Sequence, residues 1–435
     1  MNHDRPRRQT PLRKLLPWAL LGVPLVFAAR AATDYHAVPS ATQRQPAAQT
    51  ADFQDAPRAP AKVTAHTLLK LTTRLSIPTG EDATERRLLH VYAEVAAGNL
   101  DAAREQATQL VREHPHFALA QLALADVLQA SSGRGGGFAA LPPDLAATLP
   151  PAARSRLDEL RAEALVRLSA YTNPPPAGAI AANLVALGAD VKRALVIDTS
   201  RSRVYVFDQR DGQPVLRASY YFSQGRQGDG KTRAGDLKTP LGIYFITRKI
   251  DPANLKPLYG AGALTLNYPN EWDKLQGYTG FGVWLHGTPP GSYARVPRAS
   301  DGCVVLSNPD VRSLMAQTPA GATPVVITRQ VRWLSPAQWT AQRQRLIAQL
   351  QPEIVRAASL GLRPQDPPAA ASAAAPAAAP SPASPIPASL SILQYPGQIV
   401  VQYSAASATG HAALYRQYWA QRSQQWQLIF QGSVS

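Results

Sequence analysis

The sequence predicts a multidomain α+β protein, in which a small helical region precedes a mainly β domain and a short β-rich C-terminal segment. Apolar residues recur at helical spacing between residues 63 and 172. Beyond Lys192 the apolar period becomes about 2, which is typical of strands. Two stretches, 33–62 and 363–388, are rich in Ala and Pro and have no hydrophobic period, so they are predicted to separate folded parts.

Residues 1–32 have the pattern of a signal peptide or signal anchor. Basic residues precede an apolar stretch from Leu15 to Ala29, and Ala29-Arg30-Ala31 offers a small-x-small cleavage site. The stretch is shorter than the roughly 20 residues of a membrane span, although an uncleaved anchor stays open, as does a buried N-terminal helix. We therefore expect export to the periplasm or cell envelope, with anchoring to the inner membrane if the segment is kept. A disordered tether over 33–62 follows.

The region 63–172 is predicted to be a small α-helical domain. Apolar residues from Leu88 to Ala96 recur on one helical face, Gly98-Asn99 ends this helix, and further helices are expected over 100–114, 117–128 and 150–169. The arrangement resembles one tetratricopeptide unit, with pattern positions at Tyr92, Gly98, Ala103 and Pro115. Stacked repeats need about three copies, so a solenoid is not expected. The region is either a platform for an envelope protein partner or a helical spacer.

Residues 190–330 are predicted to form a mainly β sandwich or barrel. Ala194 to Asp198 is one strand, and Arg203 to Asp208 alternates before the hairpin turn signal Asp211-Gly212. Strands are also expected over 218–222, 242–247, 282–286, 300–306 and 324–328. Strands this numerous with few helices indicate a sheet-based core.

The C-terminal part is predicted as helix, linker and β meander. A helix over 335–362 starts with Ser335 as N-cap and Pro336 at the first helical position. The Ala/Pro/Ser linker 363–388 cannot pack a core. Residues 389–435 show three strands, over 398–403, 413–419 and 426–431. This is too little for an independent domain, so the segment packs on another domain, dimerises, or is a remnant of something larger.

The chain is strongly basic, with 45 Lys and Arg against 29 Asp and Glu and a net charge of +16. Such a charge suits nucleic acid, anionic lipid or an acidic envelope polymer. Export argues against nucleic acid, and no basic cluster is interleaved with aromatic residues. The charge is therefore interpreted as general attraction to an anionic surface, or as a solvated surface without a partner.

Cys303 is the only cysteine, so it cannot form an intramolecular disulfide and is either inert or kept for its reactivity. His286 lies at a predicted strand end, and Asp301-Gly302 allows a tight turn beside the thiol. A nucleophilic thiol needs a neighbouring base, which His286 could supply. A backbone carbonyl, Ser300 or Asp301 could orient the imidazole. The structural alternative is a small buried strand residue. No metal site is predicted, because one Cys and one His lack further close ligands.

Four ordered motifs in this region resemble the L,D-transpeptidase catalytic domain of the YkuD family. They are an opening strand from Leu195 to Phe207, the run Lys238 to Tyr244, the strand end Leu285 to Thr288, and Ser300-x-Gly302-Cys303 followed by Asn308 and Asp310. The resemblance covers roughly a third of the chain.

The resemblance implies a β-sandwich-like catalytic fold without metal or organic cofactor. Cys303 would be the acylated nucleophile and His286 the general base. The main-chain amides of Gly302 and Cys303 would contribute to the oxyanion hole. Ser300, Asp301 and Gly287 would order the site.

Two residues depart from the family pattern. Asp301 stands where the family has His, and Val305 where it has Arg, which removes one clamp for a terminal carboxylate. The looser motif is similar to the YafK and DpaA branch, some of whose members cleave links to peptidoglycan. The ending Trp426 to Gly432 resembles the last strands of a nuclear-transport-factor-two-like domain, of which only a part is present.

The implied substrate is a peptidoglycan stem peptide, and the implied role is cell wall biogenesis. A Cys303 thioester at the L-centre of diaminopimelate would form with release of D-Ala. Transfer to an amine would give a 3-3 cross-link or a protein attachment. Two alternatives stay open: an L,D-hydrolase that resolves the same thioester with water, and a wall-binding scaffold without catalysis. Contact with the membrane is expected only through the N-terminal segment.

Overall fold

The computed structural model describes residues 83–132, 147–359, 389–406, 412–423 and 425–434. The predicted signal segment, the tether and the Ala/Pro/Ser linker lie outside the described residues. Seven α-helices and seventeen β-strands occupy the described parts of the chain, and the predicted α+β class is confirmed. None of the helices described is long and apolar enough to cross a membrane.

The predicted helical region is present. Its helices are α1 (Ala83–Ala97), α2 (Leu100–Glu113), α3 (Ala118–Ser131) and α4 (Pro151–Thr172). Leu88, Leu89 and Tyr92 are buried in one cluster with apolar residues of the other three helices. Gly98 takes a φ of +81° at the turn between α1 and α2, a conformation that favours glycine. The periodicity therefore located both the helices and their buried face.

The β domain contains thirteen strands and two helices. The strands are β1 (Ile180–Ala181), β2 (Leu184–Ala186), β3 (Arg193–Asp198), β4 (Arg203–Arg210), β5 (Gln213–Tyr221), β6 (Gln224–Gly225), β7 (Gly242–Ile250), β8 (Ala263–Leu266), β9 (Trp284–His286), β10 (Arg298–Ser300), β11 (Val304–Val305), β12 (Pro324–Thr328) and β13 (Trp333–Leu334). The helices are α5 (Glu271–Leu275) and α6 (Asn308–Gln317).

Eight of these strands form one sheet, in the order β11-β9-β8-β7-β12-β3-β4-β5. Neighbours are antiparallel except for β12 with β3 and β11 with β9, which are parallel. Side chains alternate between two buried clusters, so that Leu195 and Ile197 enter one while Ala194 and Val196 enter the other. Both faces are covered, which explains the near-continuous apolar character of β3 and β12.

The single strand predicted over 300–306 is wrong. The chain forms β10, which pairs with β6, and then β11, which pairs with β9 in a different sheet. Gly302 has a φ of +125° between them. This backbone conformation interrupts the extended chain and leaves Cys303 in the turn between two strands.

The C-terminal segment has four strands instead of the predicted three. They are β14 (Ser391–Tyr395), β15 (Gln398–Ala406), β16 (Ala412–Arg422) and β17 (Gln425–Val434), and they form an antiparallel sheet in the order β17-β16-β15-β14-β2. Leu393, Val400 and Tyr418 share a buried cluster with Val196 and Phe245 of the larger sheet. Of the three alternatives for this segment, packing on another domain is therefore confirmed, and it explains how so short a segment is stabilised.

The long helix α7 (Pro336–Ser359) connects this sheet to the β domain. Ser335 caps it: the Ser335 hydroxyl accepts from the Gln338 amide at 3.3 Å, and the Gln338 side chain accepts from the Ser335 amide at 2.9 Å. The Trp339 indole donates to the Leu184 carbonyl at 2.6 Å. Leu350 is fully buried in a cluster with Ile392.

A buried ionic network joins the helical region to the large sheet. Arg203 of β4 binds both carboxylate oxygens of Glu85 of α1, at 3.0 and 2.9 Å. Arg167 of α4 donates to Glu85 at 2.8 Å and to Glu163 at 2.9 Å. Burial alone would raise the pKa of Glu85, but the charges of Arg203 and Arg167 outweigh it and lower that pKa to about 2.

Replacing Glu85 by Ala should reduce the free energy of unfolding by about 3–5 kcal/mol, because two buried guanidinium groups lose their shared partner. Urea denaturation at pH 7 measures this effect. Glu159→Gln is the matched control, since Glu159 forms an exposed pair with Arg156 at 3.2 Å.

The pH dependence of the free energy of unfolding gives an independent check of the Glu85 network. The folded pKa of Glu85, about 2, lies below its ordinary value of 4.5. Its contribution is therefore complete above pH 4.5 and is lost as the pH falls toward 2. The difference in stability between wild type and Glu85→Ala should shrink over this window. Equal midpoints for both variants at pH 7 would contradict the role of the network.

Candidate active site

The sheet brings His286 and Cys303 together at one edge. Strands β9 and β11 are parallel neighbours, with Val304 opposite Leu285 and Val305 opposite His286. The Leu306 amide donates to the His286 carbonyl at 2.9 Å. Cys303 comes directly before β11 and therefore lies beside Trp284 at the start of β9. The pairing of β9 with β11 thus brings together two residues that are seventeen positions apart in the sequence.

Cys303 is half-buried as a residue, and backbone groups on and just before the neighbouring strand hold its thiol. Its sulfur donates to the Gly282 carbonyl at 3.5 Å and accepts from the Trp284 amide. Burial raises the pKa of the thiol to about 11, and the Asp301 carboxylate acts in the same direction. The Trp284 amide and the charges of Arg295 and Lys231 oppose this shift but do not cancel it. The thiol is therefore protonated at neutral pH.

His286 is buried and oriented by a main-chain carbonyl. Its Nδ1 lies 2.7 Å from the Gly287 oxygen. A carbonyl only accepts, so Nδ1 carries the hydrogen and Nε2 keeps its lone pair. Burial lowers the pKa of His286 to about 4, with Arg295 acting in the same direction and the Gly287 carbonyl opposing it. The imidazole is thus neutral at pH 7 and can accept a proton.

Tyr259 packs against the base. Its ring meets the His286 ring edge to face at a centroid distance of 5.0 Å and the Trp284 ring at 4.8 Å. The contact restricts rotation of the imidazole. Tyr259 belongs to a short 3-10 turn, Pro257–Tyr259, far from both strands in sequence. Sequence reasoning missed it because no motif marks this turn.

Ser300 organises the turn that carries the thiol. Its buried hydroxyl donates to the Cys303 carbonyl at 2.6 Å and accepts from the Gly302 amide at 3.1 Å. A Cβ on Gly302 would lie 2.7 Å from the Lys238 carbonyl, so the close approach requires glycine. The ordering role expected for Ser300 has a concrete basis in these two bonds.

The same bonds decide which amide is free beside the thiol. The Gly302 amide, expected to help form an oxyanion hole, is engaged by Ser300. Within the described part of the chain, the Cys303 amide has no acceptor. The geometry therefore favours the Cys303 amide as the oxyanion donor over that of Gly302.

Gly287 and Asp301 serve the site in different ways. A Cβ on Gly287 would lie 2.2 Å from the Asn308 side-chain oxygen, which accepts from the Ala261 amide at 2.8 Å. The missing side chain at Gly287 thus leaves space for Asn308 to pack beside the end of β9. Asp301 points to solvent and forms an ion pair with Arg226, so its carboxylate does not orient His286.

Three cations lie around the turn that carries the thiol, and the sequence motifs indicated none of them. Lys231 and Arg295 act electrostatically on Cys303, and Arg226 lies beside both Asp301 and Arg295. They come from two loops separated by more than sixty positions. Among the described residues, no group of three or more His, Cys, Asp or Glu side chains could hold a metal ion.

Comparison with known proteins identifies this domain. Residues 192–327 match the family described as YkuD, L,D-transpeptidase catalytic domain. The chain carries a YkuD domain. The match includes the turn at Gly302 and both candidate catalytic residues, His286 and Cys303. The YafK and DpaA branch stays a prediction. No curated protein matches the chain significantly.

Two solved structures are similar to this chain. Bd1075 of Bdellovibrio bacteriovorus has 21% identity and a TM-score of 0.46 over 59% of this chain and 98% of that protein. The helical cell shape determining protein Pgp2 of Campylobacter jejuni has 18% identity and a TM-score of 0.40 over 58% of this chain and 95% of that protein.

The neutral pair of Cys303 and His286 predicts a steep pH profile for alkylation of the thiol. Iodoacetamide reacts with the thiolate, so the rate should rise about tenfold per pH unit from pH 7 to 10 without a neutral plateau. Intact-mass spectrometry measures the rate, and labelling reports one site because Cys303 is the only cysteine.

A short cysteine peptide, with a thiol pKa near 8.5, is the reference. Its rate should level off above pH 9 while that of the protein still rises, because burial raises the pKa of Cys303 to about 11. A plateau beginning below pH 7 would instead show a preformed thiolate–imidazolium pair and would contradict this description.

Proposed function

We propose that this protein is an exported cysteine acyltransferase that acts on peptidoglycan stem peptides. The YkuD domain supports peptidoglycan modification of the L,D-transpeptidase type. One observation carries the assignment of residues: a neutral imidazole, locked with Nε2 available, lies on the strand next to the only thiol of the chain. Export to the periplasm or envelope rests on the N-terminal sequence alone.

In the first half-reaction, the Cys303 sulfur attacks the carbonyl at the L-centre of diaminopimelate. His286 Nε2 accepts the thiol proton as the carbon–sulfur bond forms. The pKa values of about 11 and 4 disfavour proton transfer before attack, so general-base transfer within the transition state is the expected route. The Cys303 amide faces the developing oxyanion. Collapse breaks the peptide bond, and His286 returns the proton to the departing D-Ala amine.

In the second half-reaction, a nucleophile resolves the thioester. An amine gives a 3-3 cross-link or a protein attachment, and water gives net hydrolysis. In either case His286 takes a proton from the nucleophile and returns it to the Cys303 sulfur. Linking or cutting stem peptides remodels the wall, so we extend the proposal to cell wall biogenesis and cell shape.

Hydrolysis remains the second candidate, because Asp301 and Val305 replace the His and Arg of the family pattern. The Asp301 carboxylate forms an exposed ion pair with Arg226 two positions before the thiol. The helical region could also recruit an envelope protein, although its contacts to the β domain support an equally structural role.

Incubating the purified protein with disaccharide tetrapeptide or a carbapenem should produce a covalent adduct on Cys303, visible by intact-mass spectrometry under reducing conditions. Cys303→Ala should form none. His286→Gln should form it about 10²–10⁴-fold more slowly, the usual contribution of a general base. The exposed His90 supplies a matched control, and His90→Gln should react like wild type.

The outcomes separate the candidate functions. Absence of any adduct with wild-type protein would favour the scaffold alternative and overturn the enzyme proposal. If the adduct forms, products with and without an added amine acceptor distinguish transfer from hydrolysis. Thermal unfolding of Cys303→Ala should match wild type, since Ala fits the turn; a large loss of stability would indicate a structural thiol.

A further inference from the structure

The loop between β9 and β10, residues 287–297, carries Arg295 to the active site. The Tyr221 hydroxyl donates to the Arg295 carbonyl at 2.8 Å. The Thr288 hydroxyl donates to the Ser292 carbonyl at 2.7 Å. The first bond fixes the loop to β5, and the second closes the first part of the loop on itself. The backbone of Arg295 is therefore held from the β domain.

The helical region holds the same loop. The Tyr293 amide donates to the His116 carbonyl at 3.2 Å, and the Tyr293 ring lies 4.5 Å from the Phe117 ring by centroid distance. Val296 is buried in the core of the helical region, at 5% exposure. Residues on both sides of Arg295 are thus packed against helices, which holds the backbone from which its side chain extends.

The three cations near the thiol differ in their partners. Lys231 is paired with Asp236 at 2.8 Å, and both side chains are buried. Arg226 is exposed and paired with Asp301. Arg295 is half-buried, and no carboxylate of the described residues lies within 4.0 Å of it. Among the described residues, its guanidinium donates one hydrogen bond, from Nη1 to the Ala299 carbonyl at 3.4 Å.

The carboxylate that acts on Arg295 from a distance, Asp301, is already paired with Arg226, so a half-buried guanidinium without an ion pair of its own is suited to an anionic ligand. Removing a charge from water is costly unless a partner compensates it. Burial lowers the pKa of Arg295, which is the physical sign of this cost. The planar guanidinium matches a carboxylate in a bidentate manner.

The proposed donor supplies a carboxylate at this place. A stem tetrapeptide ends in D-Ala, whose free carboxylate lies one residue beyond the carbonyl that Cys303 attacks. Val305, at the position of the family arginine, is a buried apolar residue and cannot bind it. Resting on the function proposed above, we infer that Arg295 binds the terminal carboxylate of the acyl donor and selects donors with a free C-terminus.

Two donors that differ only at this group test the inference: the disaccharide tetrapeptide acid and its C-terminal amide. Wild-type protein should acylate with the acid about 10–100-fold faster, the range of a charged hydrogen-bonded contact. Arg295→Gln should bring this ratio close to one by slowing the reaction of the acid alone. Arg295→Lys keeps the positive charge but loses the paired donors of the guanidinium, so it should give an intermediate ratio of acid to amide rates.

Arg298→Gln is the matched control, because Arg298 is exposed three positions along the same segment and should leave the ratio unchanged. An unchanged ratio in Arg295→Gln, or an equal loss with both donors, overturns the inference while leaving the proposed function standing. Absence of an adduct with either donor in wild type overturns the proposed function itself. Circular dichroism and thermal unfolding show that each variant is folded.

Discussion

Two arginines donate three of the four hydrogen bonds described for Glu85 of the helical region, and this buried cluster is the interaction on which the arrangement of the domains depends. Arg203 reaches it from the sheet, and Arg167 reaches it from α4. The Arg167 guanidinium also lies 3.7 Å from the centre of the Tyr221 ring. Such charges tolerate burial only when their mutual geometry is kept. The network therefore specifies how the helices meet the sheet.

The position of the active-site loop follows from this docking. Tyr221 stacks on Arg167 through its ring and holds the Arg295 carbonyl through its hydroxyl. Tyr293 and Val296 pack on the helices from the other side. The helical region therefore contacts the loop that carries Arg295.

The predictable part of the site lies in short segments. Ser300, Gly302 and Cys303 are close in sequence, so their motif already indicated a tight turn beside the thiol, and the structure adds the hydrogen bonds of Ser300 that hold this turn. Leu285 to Thr288 likewise implied a histidine at a strand end. The boundary error at 300–306 arose because β-branched and small residues on both sides of Gly302 continue the strand pattern. Only the backbone angle of Gly302 interrupts it.

By itself the sequence determined the helical and β regions, the buried faces of their elements, and the candidate pair of His286 and Cys303, because these depend on periodicity and local motifs. Tertiary structure decided that the C-terminal strands join β2, that the Gly287 carbonyl orients the imidazole, and that Arg295 lies beside the thiol. Those relations join residues far apart in the chain. Their energies come from burial and charge in the folded state, which no local pattern records.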